Sequence, residues 1–352
     1  MLVFAADLHL SPNTWASLPE LCGDSYSSLR QIVDYCLKKK ADALILGGDV
    51  FDRRNPDSAS VAVFMDQMRK LRAASIPIFA IQGQHDRSDP PWTQIHGDLG
   101  IIQLGPQPFV GVPVGNKTYN IAGFDNTSAA NVQETLKTIE GADIVVLHQS
   151  LKGVMGFADK WDLDEAWLHD NVKLGLVGDI HLPVSSGRCY YPGSTHMCAI
   201  DEPIEKSFIT VDAKLAVKRV KMDTREVVDL MVETEDGLTA AIATIRHYKP
   251  KSKRYPRSII YVRLAPDVPG AYDALKTACA EAEHFFMPAT LKVSAEGEAT
   301  QERSVAATSL ESCLAQAVDP TEAADAYGFI LRLLKAEKPA DELTDIKKEM
   351  GV

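Results

Sequence analysis

The feature that most restricts the fold of this chain is a series of short apolar runs that each end in groups able to bind a metal ion. Asp7 and His9 follow the run at 2–6, Asp49 and Asp52 follow 43–46, Gln84 and His85 follow 76–81, His148 follows 143–147, and Asp179 and His181 follow 174–177. The carboxyl ends of parallel strands form the ligand crevice of an open α/β sheet, so we expect these side chains to converge. Two residues spaced i, i+2, such as Asp7 and His9, can point to the same side of extended backbone.

The alternation of these runs with amphipathic stretches predicts a layered α/β fold for residues 1–221, which we expect to form one domain. Further strands are expected at 119–124 and 207–211. One helix has an apolar face from Leu29 to Leu37 with Asp24 as a candidate N-cap, and another has an apolar face from Val61 to Leu71.

Two more regions follow this domain. Residues 222–300 contain a strand at 258–264, a helix over 271–286 and a strand at 289–293, which predicts a small α+β domain. Residues 301–352 combine a polar linker with two helices, whose starts resemble capping boxes at Thr308 and Asp319. The last helix has an apolar face too wide for a simple surface helix, which favours binding to a partner.

Composition and charge limit the classes of protein to which the chain can belong. The N-terminus has no basic segment, no apolar run approaches the ~20 residues that span a bilayer, and the six cysteines show no CxxC spacing. We therefore expect a cytoplasmic protein with free thiols and no membrane contact. The net charge of −11 argues against a protein that coats nucleic acid, but residues 246–257 hold six Lys or Arg and no acid, which permits local contact with a polyanion.

Carboxylates that converge in a crevice repel one another unless a cation neutralises them. A mixture of imidazole and carboxylate donors suits borderline divalent ions such as manganese, iron or zinc. The seven or eight donors at these strand ends exceed what one such ion needs. The sequence therefore predicts two metal ions about 3.5–4 Å apart.

The ordered motifs "DLH", "GGDVFD", "GQHD", "LHQ" and "GDIH" resemble the signature of the calcineurin-like metallophosphoesterases. The segments "GDVFDRRNP" and "YYPGST" are similar to the SbcD-like branch, the nuclease subunits of DNA double-strand-break repair complexes. This resemblance implies a four-layer sandwich of β-sheets flanked by helices, a small α+β capping domain and a C-terminal helical segment. It also implies metal-dependent hydrolysis of phosphodiesters.

Carried over position by position, the resemblance implies a role for each strand-end residue. Asp7, His9, Asp49 and His181 would hold the first metal, and Asp49, Gln84, His148 and Asp179 would hold the second. Manganese is the expected ion, with magnesium or iron as alternatives. His85 would protonate the leaving oxygen or stabilise the transition state, with Asp52 as the second catalytic candidate, beside the ligands or on the substrate side.

Two positions depart from the family pattern, and both belong to the second metal. Gln84 stands where the family has Asn, and Asp179 stands where it has His. Both retain an oxygen donor, and the added carboxylate should favour manganese or magnesium at this position. The opposing interpretation is a weakened second site and a partly disabled enzyme.

Several basic residues are candidates for contact with DNA: Arg53, Arg54, Lys249, Lys251, Lys253, Arg254 and Arg257. Tyr248 and Tyr255 of the same basic segment could stack on exposed bases. The resemblance also implies an SbcC-like ATPase of the SMC family as partner of the C-terminal helices. It further implies a homodimer, for which the helix at 60–71 is a candidate face.

Three functions stay open on the sequence. The first is a DNA nuclease that degrades duplex ends from 3′ to 5′ and cuts single strands. The second is a phosphoesterase acting on a small nucleotide or phosphomonoester, for which the basic segment and the C-terminal region would have no explanation. The third is a DNA-end clamp in which the altered second metal position no longer supports cleavage.

Overall fold

The computed structural model describes residues 1–291 apart from residues 16, 93–98, 153, 155–162, 165, 167 and 169. Its strands are β1 (Leu2–Ala5), β2 (Ala43–Gly47), β3 (Ile78–Ile81), β4 (Ile101–Gln103), β5 (Val110–Val114), β6 (Lys117–Phe124), β7 (Ile144–His148), β8 (Leu174–Gly178), β9 (Ser185–Ser186), β10 (Cys189–Tyr190), β11 (Ser207–Val211), β12 (Val217–Lys221), β13 (Val227–Val232), β14 (Ile259–Leu264) and β15 (Phe285–Thr290). Its helices are α1 (Asp24–Lys39), α2 (Ser58–Ala73), α3 (Ala129–Thr138), α4 (Glu235–His247) and α5 (Ala271–Glu281). The helices predicted near Thr308 and Asp319 lie outside the described residues.

Two six-stranded sheets form the centre of the molecule, in the orders β12-β11-β1-β2-β3-β4 and β5-β6-β7-β8-β10-β9. Strands β1 to β4 run parallel in the first sheet, and β6 to β8 run parallel in the second. Phe4 and Ile45 of the first sheet share one buried cluster with Ile121 and Val146 of the second. Helices α1 and α2 pack on the outer side of the first sheet, and α3 packs on that of the second. The predicted α/β class and four-layer sandwich are confirmed.

Strand β1 shows why the apolar runs are continuous rather than alternating. Leu2 and Phe4 face the cluster between the sheets, whereas Val3 and Ala5 face the cluster under the helices, and all four are fully buried. A strand covered on both faces needs apolar side chains at every position. Burial of each large apolar side chain contributes about 1.5–3 kcal/mol to stability.

The start of α1 differs from the prediction. Gly23 is the N-cap, with a φ of 81°, and no side chain caps the helix. Asp24 is the first helical residue, and its carboxylate instead pairs with the guanidinium of Arg225, with both N–O distances at 2.8 Å. The assignment of Asp24 as the N-cap is therefore wrong, because a partner distant in the sequence takes its carboxylate.

The region after residue 222 forms a parallel sheet, β13-β14-β15, covered on one face by α4 and α5. The helix predicted over 271–286 ends at Glu281, and Phe285 begins β15 instead. Phe285 and Met287 lie on the second face of this sheet and pack against Leu18 and Leu21. The small sheet thus rests on the loop that follows the first metal motif, while the domain boundaries at 221 and 300 stay a prediction.

Two expectations from composition can be compared with the described part of the chain. None of its helices has the length and apolar character needed to cross a membrane. Its five cysteines, Cys22, Cys36, Cys189, Cys198 and Cys279, are free as predicted, and Cys313 lies outside the described residues.

Candidate metal centre

The carboxyl ends of strands from both sheets meet at one point. His148 at the end of β7 reaches across to the first sheet, where its Nδ1 lies 2.7 Å from the carbonyl oxygen of Gly47 at the end of β2. Gly178 at the end of β8 lies so close that a Cβ there would be 2.6 Å from the same oxygen. The two sheets therefore close on each other at the edge that carries the predicted ligands.

Asp7, Asp49 and His148 form the buried centre of this cluster, with donor atoms that lie within 4.8 Å of one another. Nε2 of His148 is 3.3 Å from Oδ2 of Asp49 and 3.9 Å from Oδ1 of Asp7. It is also 4.0 Å from Oδ1 of Asp179. One imidazole nitrogen thus faces three carboxylates in the interior of the protein.

The surroundings of Nε2 of His148 indicate whether a divalent ion fits the residues present. Nδ1 of His148 is engaged by Gly47, whereas Nε2 is buried and has no hydrogen-bond partner in the described part of the chain. Burial lowers the pKa of His148, but the carboxylate of Asp49, 3.3 Å from Nε2, and the charges of Asp7 and Asp179 together raise it to about 10. A positive charge is therefore favoured at Nε2 of His148. A divalent ion that displaces the proton from this nitrogen supplies such a charge.

His9 and His181 form a second pair of donors beside this centre, with 3.1 Å between their Nε2 atoms. Nδ1 of His181 is hydrogen-bonded to the carboxylate of Glu202, and Nδ1 of His9 lies 3.5 Å from Oδ1 of Asp52. Such carboxylates hold an imidazole in the tautomer that offers Nε2 to a metal. Two facing ring nitrogens at this distance require a proton or a cation between them, which also fits a metal site.

The backbone at the predicted ligands is strained. Asp7, His9, Asp49 and Asp179 have φ values of 54°, 41°, 48° and 94°, and they make up half of the eight non-glycine residues with positive φ in the described chain. Each such conformation costs roughly 1–3 kcal/mol and persists only where surrounding structure enforces it. The concentration of strain at four predicted ligands indicates a functional site.

The two departures from the family pattern lie at different depths. The backbone N–H of Asp179 donates to both carboxylate oxygens of Asp7, at 3.1 and 3.3 Å. Gln84 is exposed at the rim, and its amide oxygen accepts a hydrogen bond of 3.2 Å from Asn126. The same nitrogen of Asn126 lies 3.0 Å from the carbonyl oxygen of His148, so Gln84 is tied to the centre through Asn126.

His85 and Asp52 lie together at the open side of the site. The backbone N–H of His85 donates to Oδ1 of Asp49 at 2.8 Å, and its Nδ1 is 3.1 Å from the carbonyl oxygen of Asp52. The exposed His85 ring contacts His9 edge-on, with 4.9 Å between ring centroids. The hydrogen bond to the carbonyl group of Asp52 leaves Nε2 of His85 as the nitrogen available to a substrate.

Three residues that hold this site together are not among the predicted site residues. Asp86 is buried, and its carboxylate accepts the N–H groups of Val50 at 2.6 Å and Gly83 at 2.8 Å, so it joins two of the metal loops. Asn126 follows the apolar run at 119–124, so it has the same strand-end position as the predicted ligands and could have been identified from the sequence. Glu202 follows the short apolar stretch 197–200, which forms no strand, so the strand-end rule does not identify it.

The basic residues of the segment 249–257 are on the surface, as expected for contact with a ligand. Lys249, Lys251, Lys253, Arg254 and Arg257 are exposed, as are Arg53 and Arg54 beside the metal centre. Tyr255, however, is only 5% exposed and lies beneath the guanidinium of Arg225, at 5.0 Å. The O–H of Tyr248 donates to Glu226. The expectation that Tyr255 stacks on bases is therefore wrong, because its ring is part of the packing around Arg225.

Comparison with known proteins agrees with this geometry. The family model of the calcineurin-like phosphoesterases matches residues 1–213. Similar proteins include DNA double-strand break repair protein Mre11 of Sulfurisphaera tokodaii, 28% identical over 45% of this chain and 43% of the relative. The Mre11 proteins of Nanoarchaeum equitans and Sulfolobus acidocaldarius are 24% and 22% identical, over 68% and 78% of this chain and 73% and 78% of their own lengths.

The match thus spans less than half of the first relative and about three quarters of the other two. The family uses divalent metal ions, which agrees with the Asp and His clusters at the strand ends. Because the family model matches more than half of the chain, the chain belongs to the calcineurin-like phosphoesterases and is a hydrolase of phosphate esters.

Proposed function

We propose that this chain is a metal-dependent DNA nuclease of a double-strand-break repair complex, which degrades duplex ends from 3′ to 5′ and cuts single strands. The observation that carries the proposal is the convergence of strand ends from two sheets on one buried Asp and His cluster. Three observations support DNA as the substrate: the SbcD-like motifs, the repair relatives and the exposed basic segment.

Two divalent ions suit the donor set. Asp7, His9, Asp49 and His181 would hold the first ion, and Asp49, Gln84, His148 and Asp179 would hold the second. Manganese, with magnesium or iron as alternatives, is proposed because the donors are mixed oxygen and imidazole nitrogen. When bound, such a pair lowers the pKa of a water molecule and neutralises charge on the phosphate.

The protein side chains would orient the substrate and move one proton. His85 would act as the imidazolium, with its Nδ1 proton donated to the carbonyl oxygen of Asp52 and its Nε2 proton passed to the leaving oxygen. Asp52 would position His85 through this carbonyl group and His9 through its carboxylate. Arg53 and Arg54, both exposed, would contact the DNA backbone next to the metal centre.

The wider assembly is also a proposal. An SbcC-like ATPase would bind the C-terminal helices of residues 301–352, which lie outside the described part of the chain. A homodimer would form through α2, on which Val61 and Met65 are only half-buried. In such a complex the small sheet after residue 222 would carry the basic segment to the DNA.

The test uses the 352-residue chain with Mn²⁺ and two substrates, a labelled DNA duplex and a chromogenic phosphodiester. We expect hydrolysis of both, and we expect His85→Ala to abolish it while metal content is retained. Hydrolysis of the chromogenic compound with no cleavage of any DNA would favour a small-molecule phosphoesterase. DNA binding without hydrolysis of either substrate would favour the non-catalytic clamp.

A pair of double variants tests the basic segment separately. Lys249→Ala with Lys253→Ala should weaken DNA binding and lower the salt dependence of binding, by roughly 0.9 in the log–log slope for each phosphate that the variant no longer neutralises. It should leave hydrolysis of the chromogenic compound unchanged. The matched control is Lys38→Ala with Lys39→Ala, which removes two exposed charges at the end of α1. Equal effects of the two double variants would contradict a specific DNA interaction at the basic segment.

A further inference from the structure

A cysteine that the sequence motifs do not include lies at the first metal position. Cys198, His9 and His181 each offer one donor atom, and these atoms all lie within 4.8 Å of one another. His9 and His181 are predicted ligands of the first metal, whereas Cys198 comes from the loop after β10. The sulfur atom is thus a third donor on the side of the two facing imidazole rings.

The position of Cys198 is built by the same carboxylate that orients His181. One oxygen of Glu202 is hydrogen-bonded to Nδ1 of His181, and the other accepts the backbone N–H of Cys198 at 3.0 Å. That second oxygen also accepts from Ser194 at 3.1 Å and pairs with the buried ammonium group of Lys206. A single fixed carboxylate therefore holds both the imidazole of His181 and the backbone of Cys198 in place.

His196 supplies an independent observation at the sulfur. It is 2% exposed, and its Nδ1 has no hydrogen-bond partner in the described part of the chain. A proton on Nδ1 would leave a buried N–H group unpaired, which is costly, so the proton belongs on Nε2. Nε2 lies 3.8 Å from the sulfur of Cys198 and 3.2 Å from the hydroxyl of Thr14. An N–H donor beside the sulfur is a feature of metal-bound thiolates.

We propose that Cys198 is a ligand of the first metal position and that its sulfur makes this position selective for Zn²⁺ over Mn²⁺ and Mg²⁺. Thiolate and imidazole donors prefer zinc, whereas the second position offers oxygen donors and one imidazole, which suit manganese. Binding of the metal releases the thiol proton to solvent. The inference rests on the proposed two-metal site. It specifies the metal at each position, since the first would hold zinc and the second manganese.

Titration of the 352-residue chain with Co²⁺ tests the inference, because a cobalt–thiolate bond gives a charge-transfer absorption in the near ultraviolet. We expect this absorption in the wild type and in Cys22→Ser, which removes an exposed cysteine away from the cluster. We expect its loss in Cys198→Ser and in Cys198→Ala. Absence of the absorption in the wild type, or its persistence in both Cys198 variants, would overturn the inference.

Affinity measurements provide the second readout. Cys198→Ser should weaken Zn²⁺ binding on the order of 10- to 100-fold. Retained Mn²⁺ binding at the second position would show that the variant is folded. Equal Zn²⁺ affinity in the wild type and in both Cys198 variants would also overturn the inference. DNA hydrolysis without the cobalt–thiolate absorption would refute the role of Cys198 alone, whereas the absorption without hydrolysis would refute the nuclease proposal alone.

Discussion

The pair formed by Glu202 and Lys206 gives a sharp prediction about how the metal centre is supported. The ammonium group of Lys206 lies 2.5 Å from the carboxylate of Glu202, and the two side chains are 0% and 9% exposed. At this distance and an effective dielectric constant of about 20, their Coulomb attraction is about 7 kcal/mol before the cost of desolvation. Glu202→Gln would remove the negative charge and leave the Lys206 ammonium group buried without it.

The loss of one member of a buried ion pair costs about 3–5 kcal/mol. For a domain of this size each kcal/mol lowers the melting temperature by about 2–4 °C, so Glu202→Gln should lower it by roughly 6–20 °C. Lys206→Met in the same background should restore part of this loss, because no uncompensated charge then remains. Thermal unfolding of the wild type, the two single variants and the double variant measures this coupling.

The exposed pair formed by Glu205 and Lys221 is the matched control, with the same 2.5 Å separation and side chains that are 75% and 69% exposed. Surface pairs contribute about 0–1 kcal/mol, so Glu205→Gln should change the melting temperature by a few degrees at most. If Glu202→Gln and Glu205→Gln had equal effects, or if Lys206→Met gave no recovery, the buried pair would not support the site as described.

Three further perturbations test other parts of the site. Asn126→Ala removes the hydrogen bonds to Gln84 and to the carbonyl group of His148, so Mn²⁺ affinity measured by calorimetry should fall on the order of tenfold; unchanged affinity would contradict the link. Gly83→Ala would place a Cβ 2.0 Å from Oδ1 of Asp49 and should abolish Mn²⁺ binding in the same assay. Gly105→Ala is the control, because the nearest atom to its Cβ would be 3.6 Å away, and it should retain Mn²⁺ binding. Burial raises the pKa of Glu202, but His181 and Lys206 together lower it from 4.5 to about 2. The carboxylate therefore stabilises the fold fully above pH 4.5 and loses this contribution as the pH falls toward 2. The gap in melting temperature between wild type and Glu202→Gln should narrow over that range, and a constant gap would refute the assignment.

Local sequence patterns were sufficient where one element determines the answer. Each of the seven strands predicted before residue 221 is present. A short apolar run bounded by polar residues is enough to predict a buried strand, because the pattern depends on that segment alone. The same reasoning failed at Asp24, whose carboxylate has a partner two hundred residues away in the chain. It also failed at Phe285, where a short strand of alternating burial followed a helix too closely for periodicity to separate them.

The strand-end residues themselves were predictable, since the type and spacing of Asp, His and Gln at five strand ends are readable in the chain. That they come from two sheets rather than one was decided by the tertiary structure, where His148 of one sheet bonds to Gly47 of the other. The same holds for Cys198, Glu202 and Lys206, which no motif marks. Side-chain periodicity indicates whether a residue is buried, but not which distant residue it contacts. Those contacts form only when the two sheets pack together.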